Sequence, residues 1–280
     1  MNPSYIARCA QLAMILEVSA TPKPGNVDRD HDFVDIKYEH FLASAIGVRP
    51  VFEKAAMSDN NVGSLIREAV EESAKWSGGK NTHFGTFLLI MPLIMATGKG
   101  DVCAASEIVQ KTTVEDAIEF YKAFECVDVY LGKVEDLSVK DATSIDEIGR
   151  RGLALYDIMQ ISAERDGIAQ EWVHGFSRTL AGARMLAEKV KEMSMNNAIV
   201  YTYLTLLAEQ PDTLVQRKFG SSVAEEVSRK ASTMLKDWDI NTIRQFDDEL
   251  IRRRINPGTT ADIVAASLFV HLLEGCNEIA

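Results

Sequence analysis

The feature of this sequence that constrains its fold most is its periodicity, which is helical along almost the whole chain. No segment alternates apolar and polar residues between hairpin turns, and no strand–helix–strand pattern with a glycine fingerprint occurs. Segments rich in helix formers, with apolar residues three or four positions apart, recur instead between short turns. The pattern predicts an all-α protein, a multi-helix bundle of roughly a dozen helices.

The predicted helices differ in how deeply they should lie. Residues 4–19 are apolar on nearly every side and predict a buried helix, in which Glu17 needs a partner near the C-terminal end. Residues 84–96 are the most apolar run, but they contain Pro92 and are too few to span a bilayer. Residues 132–147 are polar and predict an exposed connection. The other predicted helices are 35–56 with a break at 48–50, 60–76, 101–110, 114–131, 148–163, 180–193, 196–209, 221–237, 240–254 and 263–273.

Size and charge narrow the class of protein. A chain of 280 residues can bury a core as one large domain or two small ones. Its net charge of −11 argues against nonspecific nucleic-acid binding. The first residues lack a basic region followed by an apolar run, so no signal peptide is expected. The cysteines show no metal-ligand spacing and are interpreted as reduced core thiols of a cytoplasmic protein: Cys9, Cys103, Cys126 and Cys276.

A rigid turn at residues 20–29 is the first candidate for chemistry. Pro22 and Pro24 remove two backbone donors and end the preceding helix, and Gly25 permits backbone angles that other residues resist. A lysine, an arginine, a histidine and several carboxylates follow within residues 23–32. The alternative interpretation is a helix-terminating loop with a solvated charge cluster.

A second candidate is the glycine-rich stretch at residues 78–85, which directly precedes the apolar helix. Asn81 or Thr82 can cap that helix, and its first N–H groups, beside Lys80 and His83, would suit an anion such as a phosphate. A plain glycine-rich turn explains the same residues, and the GxxxxGK[ST] pattern of a P-loop is absent.

Two further turns carry acidic residues that also have structural explanations. Asp212 is most simply a helix N-cap, with Arg217 and Lys218 following it. Thr259 and Asp262 have the spacing of a capping box at the start of the last helix.

Taken together, these motifs resemble those of the triphosphoribosyl-dephospho-CoA synthases. PKPGNVDR at residues 22–29 is similar to that family's PKPGLVDR, and NTHFG at residues 81–85 is similar to its NTHKG. Residues 167–176 are similar to GIRGEAxxGF and share five of its residues, Gly167, Ile168, Glu171, Gly175 and Phe176. Residues 212–220 and 256–262 resemble DTNVxxRGG and SPGGSADL. Their order and spacing match over nearly the whole chain.

The resemblance implies a single all-helical domain over residues 1–280 and a pentosyl transfer. In this reaction ATP and 3′-dephospho-CoA are joined through a ribosyl–ribosyl bond, adenine leaves, and the triphosphate is kept. The product is the prosthetic-group precursor of citrate and malonate decarboxylating systems. The resemblance also implies small-molecule nucleotide substrates and a Mg²⁺ ion held by carboxylates. The net charge and the short apolar run lead us to expect no nucleic-acid or membrane partner, and homo-oligomerisation stays open.

The matched positions are the predicted site residues. Lys23 and Arg29 are assigned to phosphate, and Asp28 to the metal or the ribose hydroxyls. His83 is the candidate for proton transfer near neutral pH. The complete prediction has catalytic residues His83, Asp28 and Glu171; substrate-binding residues Lys23, Arg29, Asn81, Thr82, Lys80, Arg217 and Lys218; and metal ligands Asp28, Asp212 and Asp262.

The departures from the family motifs leave two alternatives. Polar or glycine positions of the family are occupied here by Phe84, Ala169, Gln170, Leu214 and Phe219. A diverged enzyme could therefore use ATP with another acceptor, such as a pterin or another coenzyme precursor with a flat ring that stacks on the phenylalanines. A noncatalytic helical binding protein that keeps the scaffold is the second alternative.

Overall fold

The computed structural model describes residues 1–126 and 143–275. Within these ranges it contains sixteen α-helices, one 3₁₀ helix and no strand, which confirms the all-α prediction. No helix in these ranges has both the length and the apolar character that a membrane span requires.

The helices begin and end as follows: α1 Pro3–Ser19, α2 Tyr38–Gly47, α3 Arg49–Ala55, α4 Val62–Ser77, α5 Phe84–Gly98, the 3₁₀ helix Val102–Ala104, α6 Ala105–Gln110, α7 Val114–Ala123, α8 Thr143–Arg151, α9 Leu155–Ser162, α10 Gly167–Val173, α11 Ser177–Lys189, α12 Met195–Glu209, α13 Thr213–Phe219, α14 Ser221–Lys236, α15 Ile240–Arg252 and α16 Gly258–Glu274.

The chain divides into two compact units. The first comprises residues 1–12 and 43–177, and the second comprises residues 13–42 and 178–280. The single domain expected over residues 1–280 stays a prediction.

The first unit is built around α5, the most apolar segment of the sequence. Every residue from 86 to 97 is buried, as predicted for this run. The helix packs against α3, α4, α6 and α10. Trp172 of α10 donates its indole N–H to the carbonyl oxygen of Leu88 at 2.9 Å, so its one polar atom is satisfied within the core. These contacts hold the start of α5, where the NTHFG motif lies, in a fixed position.

The second unit is built around α12 and α16. Helix α12 packs against α14 and α16, and α13 packs against the same two helices. Residues 263–273 of α16 are all buried, because this stretch is apolar on every side. The motifs at residues 212–220 and 256–262 therefore lie at the starts of α13 and α16, two helices that pack against each other in this unit.

Several predicted boundaries were wrong. Residues 148–163 are not one helix, because Gly152 has a φ of +66° and ends α8, after which α9 begins at Leu155. Asp157 accepts the backbone N–H of Ala154 at 2.9 Å and so stabilises the new start. Helix α7 ends at Ala123 rather than at residue 131, and α8 begins inside the predicted connection. Residues 127–142 of these two segments fall outside the described residues.

Two local predictions also need correction. Neither Asn81 nor Thr82 caps α5, because its N-cap residue is His83. The capping box of Thr259 and Asp262 is absent, because α16 begins one residue before Thr259, with Pro257 as its N-cap. The Thr259 hydroxyl lies instead 3.2 Å from that of Thr213.

The cysteine prediction holds only in part. Cys9, Cys103 and Cys126 are free thiols, of which Cys9 is buried and Cys103 is exposed. Cys103 is not a core residue, because it lies in the short 3₁₀ helix, none of whose residues is buried. Cys276 lies outside the described ranges.

Candidate functional site

The turn after α1 is buried rather than solvated. Residues 20–28 all lie inside the second unit, and exposure begins at Arg29. This contradicts the alternative of a solvated charge cluster for Lys23 and Asp28, whereas the charged residues that follow, Arg29, Asp30 and Asp32, are exposed. Since buried charges need partners, each charged group of the turn must be accounted for by its contacts.

Lys23 is paired with Glu17 of α1. The lysine is 1% exposed and the glutamate 5% exposed, and the ammonium group contacts Glu17 Oε1 directly. Burial raises the pKa of Glu17, and the charge and hydrogen bond of Lys23 counteract this rise. The structure thus supplies the partner that the sequence required for Glu17. A contact between Lys23 and phosphate stays a prediction.

Tyr203 of α12 connects the turn to the core of the second unit. Its hydroxyl donates to the carbonyl oxygen of Pro24 at 2.8 Å and accepts the side-chain amide N–H of Asn26 at 2.7 Å. Burial raises the pKa of Tyr203 well above its ordinary value, and the nearby carboxylates of Asp212, Asp247 and Glu17 raise it further. Tyr203 therefore stays a neutral hydroxyl among acidic groups.

Asp28 closes the turn and belongs to an acidic cluster. Its Oδ1 accepts the backbone N–H groups of Asp30 at 2.8 Å and His31 at 3.0 Å, and its Oδ2 accepts that of Lys23 at 3.3 Å. Asp28, His31 and Asp247 each offer one ligand atom, and these atoms lie within 4.8 Å of one another. Among the described residues, this group has the spacing of a metal site.

Asp247 of α15 is the most deeply buried member of the cluster. Its side chain is 0% exposed, and its Oδ1 accepts the backbone N–H of Gly25 at 2.9 Å. Burial raises the pKa of Asp247 to about 6, and the negative charge of Asp28 contributes to the rise. Two carboxylates held this close in the interior repel each other unless a cation lies beside them.

Asp212 is the N-cap of α13, as the sequence predicted. Its Oδ1 accepts the backbone N–H groups of Leu214 at 2.9 Å and Val215 at 3.1 Å. Its Oδ2 accepts both the N–H and the hydroxyl of Thr260, at 2.7 and 2.8 Å. Burial raises the pKa of Asp212, and these bonds oppose the rise. One aspartate thus joins the start of α13 to the start of α16.

The other predicted residues of the second unit are exposed or partly buried. Arg29 is exposed and donates to Asn196 Oδ1 at 3.2 Å, and Asn196 also bonds both backbone groups of Thr21. Arg217 is partly buried and Lys218 is exposed near the end of α13. Asp262 is partly buried in the first turns of α16, and neither it nor Asp212 belongs to the metal-like group.

In the first unit, His83 lies at the end of a chain of hydroxyl groups. Its Nδ1 is 2.8 Å from Ser44 Oγ, which is 2.7 Å from Ser73 Oγ, and Ser73 Oγ is 3.2 Å from Thr82 Oγ1. His83 is 3% exposed, and with Lys80, Asn81 and Thr82 it lines a small depression at the start of α5. The bond to Ser44 fixes the orientation of the imidazole ring.

The remaining predicted residues of the first unit are buried. Glu171 is 1% exposed and lies in α10. Phe84 packs against Phe124, with ring centroids 4.6 Å apart, and against Phe120. The Phe84 ring is therefore already covered by aromatic neighbours, which favours a packing role over contact with an acceptor.

Comparison with known proteins decides the family. The family profile described as ATP:dephospho-CoA triphosphoribosyl transferase matches residues 3–279. The chain belongs to this transferase family.

Individual members agree with the profile. The chain is 26% identical to the 2-(5″-triphosphoribosyl)-3′-dephosphocoenzyme-A synthase of Klebsiella pneumoniae, over 96% of this chain and 91% of that protein. It is 25% identical to the protein of the same name from Escherichia fergusonii, over 95% and 89%. A crystal structure from Archaeoglobus fulgidus, provisionally assigned as a triphosphoribosyl-dephospho-CoA synthase, has a TM-score of 0.70 and 32% identity, covering 84% of this chain and 99% of that one.

Sequence reasoning missed four residues that the fold of this transferase places around the turn. They are His31, Asn196, Tyr203 and Asp247. His31 lay beside the matched motif, and its position three residues after Asp28 was the available signal. The other three lie in α12 and α15, outside the matched motifs, so only the folded chain brings them to the turn.

We expect Gly25→Ala to destabilise the protein by about 2–5 kcal/mol. Gly25 has a φ of +82°, and an added Cβ would lie 2.2 Å from the carbonyl oxygen of Ile255. Gly79 is the matched control, since its φ is +80° but nothing lies within 4 Å of its Cβ position. Gly79→Ala should cost only the backbone strain, about 1–2 kcal/mol. Urea unfolding measures both changes, and equal losses would contradict the close contact.

Proposed function

We propose that this protein transfers the 5-triphosphoribosyl group of ATP to 3′-dephospho-CoA and releases adenine. The observation that carries the proposal is the match of the transferase family to residues 3–279, which includes every motif of the candidate site. The acceptor's 2′-hydroxyl forms a bond to C1 of the donor ribose while the bond from that carbon to adenine breaks. The hydroxyl proton leaves, and adenine accepts a proton.

The residue types suit this chemistry. Loss of adenine passes through an oxocarbenium-like state, which a nearby carboxylate stabilises. A proton carrier that works near neutral pH assists the attacking hydroxyl or the departing base. We assign the proton transfer to His83, whose ring Ser44 holds in place at 2.8 Å. Glu171 is the second candidate for general base, and Asp28 for the carboxylate near the ribose.

The triphosphate needs cations. We assign it to Lys23 and Arg29, with Arg217 and Lys218 as further candidates, and the nucleotide to Lys80, Asn81 and Thr82. A divalent cation, Mg²⁺ in the family expectation, supplies charge neutralisation to the triphosphate when bound. Asp28 fits such an ion because it is buried beside a second buried carboxylate. Asp262 is a further candidate, and Asp212 fits less well because its two oxygens already accept four hydrogen bonds.

The proposed activity places the protein in the cytoplasm, where both nucleotide substrates occur. The alternative of a diverged enzyme with another acceptor is based on the departures from the family motifs at Phe84, Ala169, Leu214 and Phe219. Of these, Phe219 is 39% exposed, whereas Phe84 and Ala169 are buried. The comparisons favour dephospho-CoA.

An adenine-release assay tests the proposal. We expect purified protein with ATP and Mg²⁺ to release adenine in amounts equal to the triphosphoribosyl product, and only when dephospho-CoA is present. A panel of other acceptors, including pterins, is the control. Release with another acceptor alone would replace the proposed substrate. ATP binding without release under any condition would support a noncatalytic binding protein.

A further inference from the structure

The contacts of His31 distinguish its two ring nitrogens. Nε2 lies 3.2 Å from Oδ1 of Asp248, a carboxylate that is 47% exposed. Nδ1 points inward and lies 2.8 Å from Asp247 Oδ2. Each ring nitrogen thus lies beside a carboxylate, Nε2 beside the exposed one and Nδ1 beside the buried one. His31 thus presents Nδ1 to the buried carboxylates.

The inward-facing atoms, His31 Nδ1 and Asp247 Oδ2, contact each other as an ion pair but make no hydrogen bond to any other described residue. His31 Nδ1 and Asp247 Oδ2 are both buried, and neither makes a hydrogen bond with acceptable geometry, although they lie only 2.8 Å apart. Unpaired buried polar atoms are rare in folded proteins. A ring nitrogen and a carboxylate oxygen at this distance match the spacing of adjacent ligands of one metal ion, which lie about 3 Å apart in octahedral coordination.

The burial of two carboxylates in this cluster also favours a bound cation. Asp28 is 1% exposed and Asp247 is fully buried, and Lys23, the nearest buried cation of the turn, is paired with Glu17. The two aspartates therefore place negative charge in the interior, and within residues 1–126 and 143–275 no lysine or arginine pairs with either of them, the basic neighbour of Asp247 being His31. Such an arrangement is costly unless a cation occupies it.

We propose that Asp28, His31 and Asp247 form a site for a first-row divalent transition-metal ion and that this site prefers Mn²⁺ to Mg²⁺. Mg²⁺ in proteins is held by oxygen ligands, often one or two carboxylates with phosphates and water. An imidazole nitrogen adds affinity for first-row transition ions, whereas two carboxylates keep the site suited to hard ions such as Mn²⁺. A role of this ion in holding the triphosphate rests on the proposed function. The binding of the ion to these three residues does not.

Titration of nucleotide-free protein with Mn²⁺ tests the site. The protein is first treated with a chelator, and free Mn²⁺ is followed by its electron paramagnetic resonance signal. We expect one ion per chain and displacement that requires at least about tenfold more Mg²⁺ than Mn²⁺. Wild-type protein that binds no Mn²⁺, or that binds both ions equally, would overturn the proposal; a protonated His31 bridging Asp247 and Asp248 would then explain the cluster.

Substitutions of His31 and Asp247 test whether these residues bind the ion. His31→Ala should weaken Mn²⁺ binding by about tenfold or more and reduce the preference over Mg²⁺, and Asp247→Asn should weaken both ions. His31→Gln is the second variant, because it keeps a side chain of similar size if the alanine variant fails to fold. Asp35→Asn, an exposed change in the same acidic stretch, is the control and should leave binding unchanged. Unchanged Mn²⁺ affinity in folded His31 and Asp247 variants would also overturn the site.

Failure of the cation site can be distinguished from failure of the proposed transferase activity. Adenine release in Mg²⁺ by a protein that binds no Mn²⁺ would remove the cation site and leave the transferase activity. Stoichiometric Mn²⁺ binding without adenine release would keep the site and remove the activity.

Discussion

Replacing Asp28 by asparagine is expected to lower the kcat of adenine release by about 100-fold or more, which is the usual loss when a preorganised charge at a reacting centre is removed. The carboxylate lies in the buried group with His31 and Asp247. Asparagine has nearly the same shape but no negative charge, so it cannot balance a cation or the developing positive charge on the ribose.

The same change should affect stability little. The asparagine oxygen can still accept the backbone N–H groups of Asp30 and His31, and only the long 3.3 Å bond from Lys23 N–H is lost. Removal of one of two neighbouring buried carboxylates also relieves repulsion. We expect a change of about 1 kcal/mol or less in the free energy of unfolding.

Steady-state assays of adenine release and urea unfolding measure the two effects, with Asp35→Asn as the control. Partial rescue of the Asp28→Asn variant by a higher divalent-cation concentration would assign Asp28 to the metal, and no rescue would assign it to the ribose. Wild-type turnover in the folded variant would contradict a role for Asp28 in the reaction.

The fold class could be predicted because helical periodicity is a local property of the sequence. Residues 4–19 and 84–96 correspond closely to α1 and α5, since apolar residues dominate both and proline or glycine bounds them. Boundaries failed where a backbone conformation had to be inferred. Gly152 fits an apolar stripe as well as a turn, and only its φ of +66° separates the two.

The site could be predicted only where it lies within matched motifs. Asp28 and Asp212 were found because turn chemistry and the family motifs both mark them. Asp247 lies more than two hundred residues from the turn along the chain, in a helix whose acidic residues look like an ordinary solvated face. Its burial results from the packing of the turn on α15, which no local pattern reports.

The need of Glu17 for a cationic partner, unlike the position of Asp247, could be predicted from the sequence. A buried carboxylate near a helix C-terminus needs a cation, and Lys23 stands six residues further on. The requirement was visible in the sequence because the charge and its partner flank one turn. The same pairing raises a question about function, since a lysine held by glutamate has less charge to offer a phosphate.

Lys23→Met is therefore expected to destabilise the protein by about 3–5 kcal/mol, because it leaves Glu17 buried without its cation. Methionine fills much of the lysine's volume, so the loss reports the charge rather than a cavity. Lys37→Met, at an exposed lysine, is the control and should change the free energy of unfolding by less than about 0.5 kcal/mol. The double variant Lys23→Met/Glu17→Met should recover most of the loss, since an apolar pair can replace a buried ion pair.

The pH dependence of Lys23→Met has a definite sign. Burial already raises the pKa of Glu17, and removal of Lys23 takes away the interactions that lower it. A carboxyl group whose folded pKa lies above its unfolded value of 4.5 binds protons more tightly in the folded state. The variant should therefore lose stability as the pH rises above about 4.5, relative to wild type, and urea unfolding at pH 5 and pH 8 measures the difference.

The double variant also separates the two roles of Lys23. If the ammonium group serves only to balance Glu17, the stable double variant should keep the wild-type KM for ATP. If Lys23 also contacts the triphosphate, as the matched motif predicts, the variant should fold normally and show a raised KM or a lost turnover, because a phosphate-bound cation is missing. Wild-type stability in the single variant Lys23→Met would contradict the buried ion pair itself.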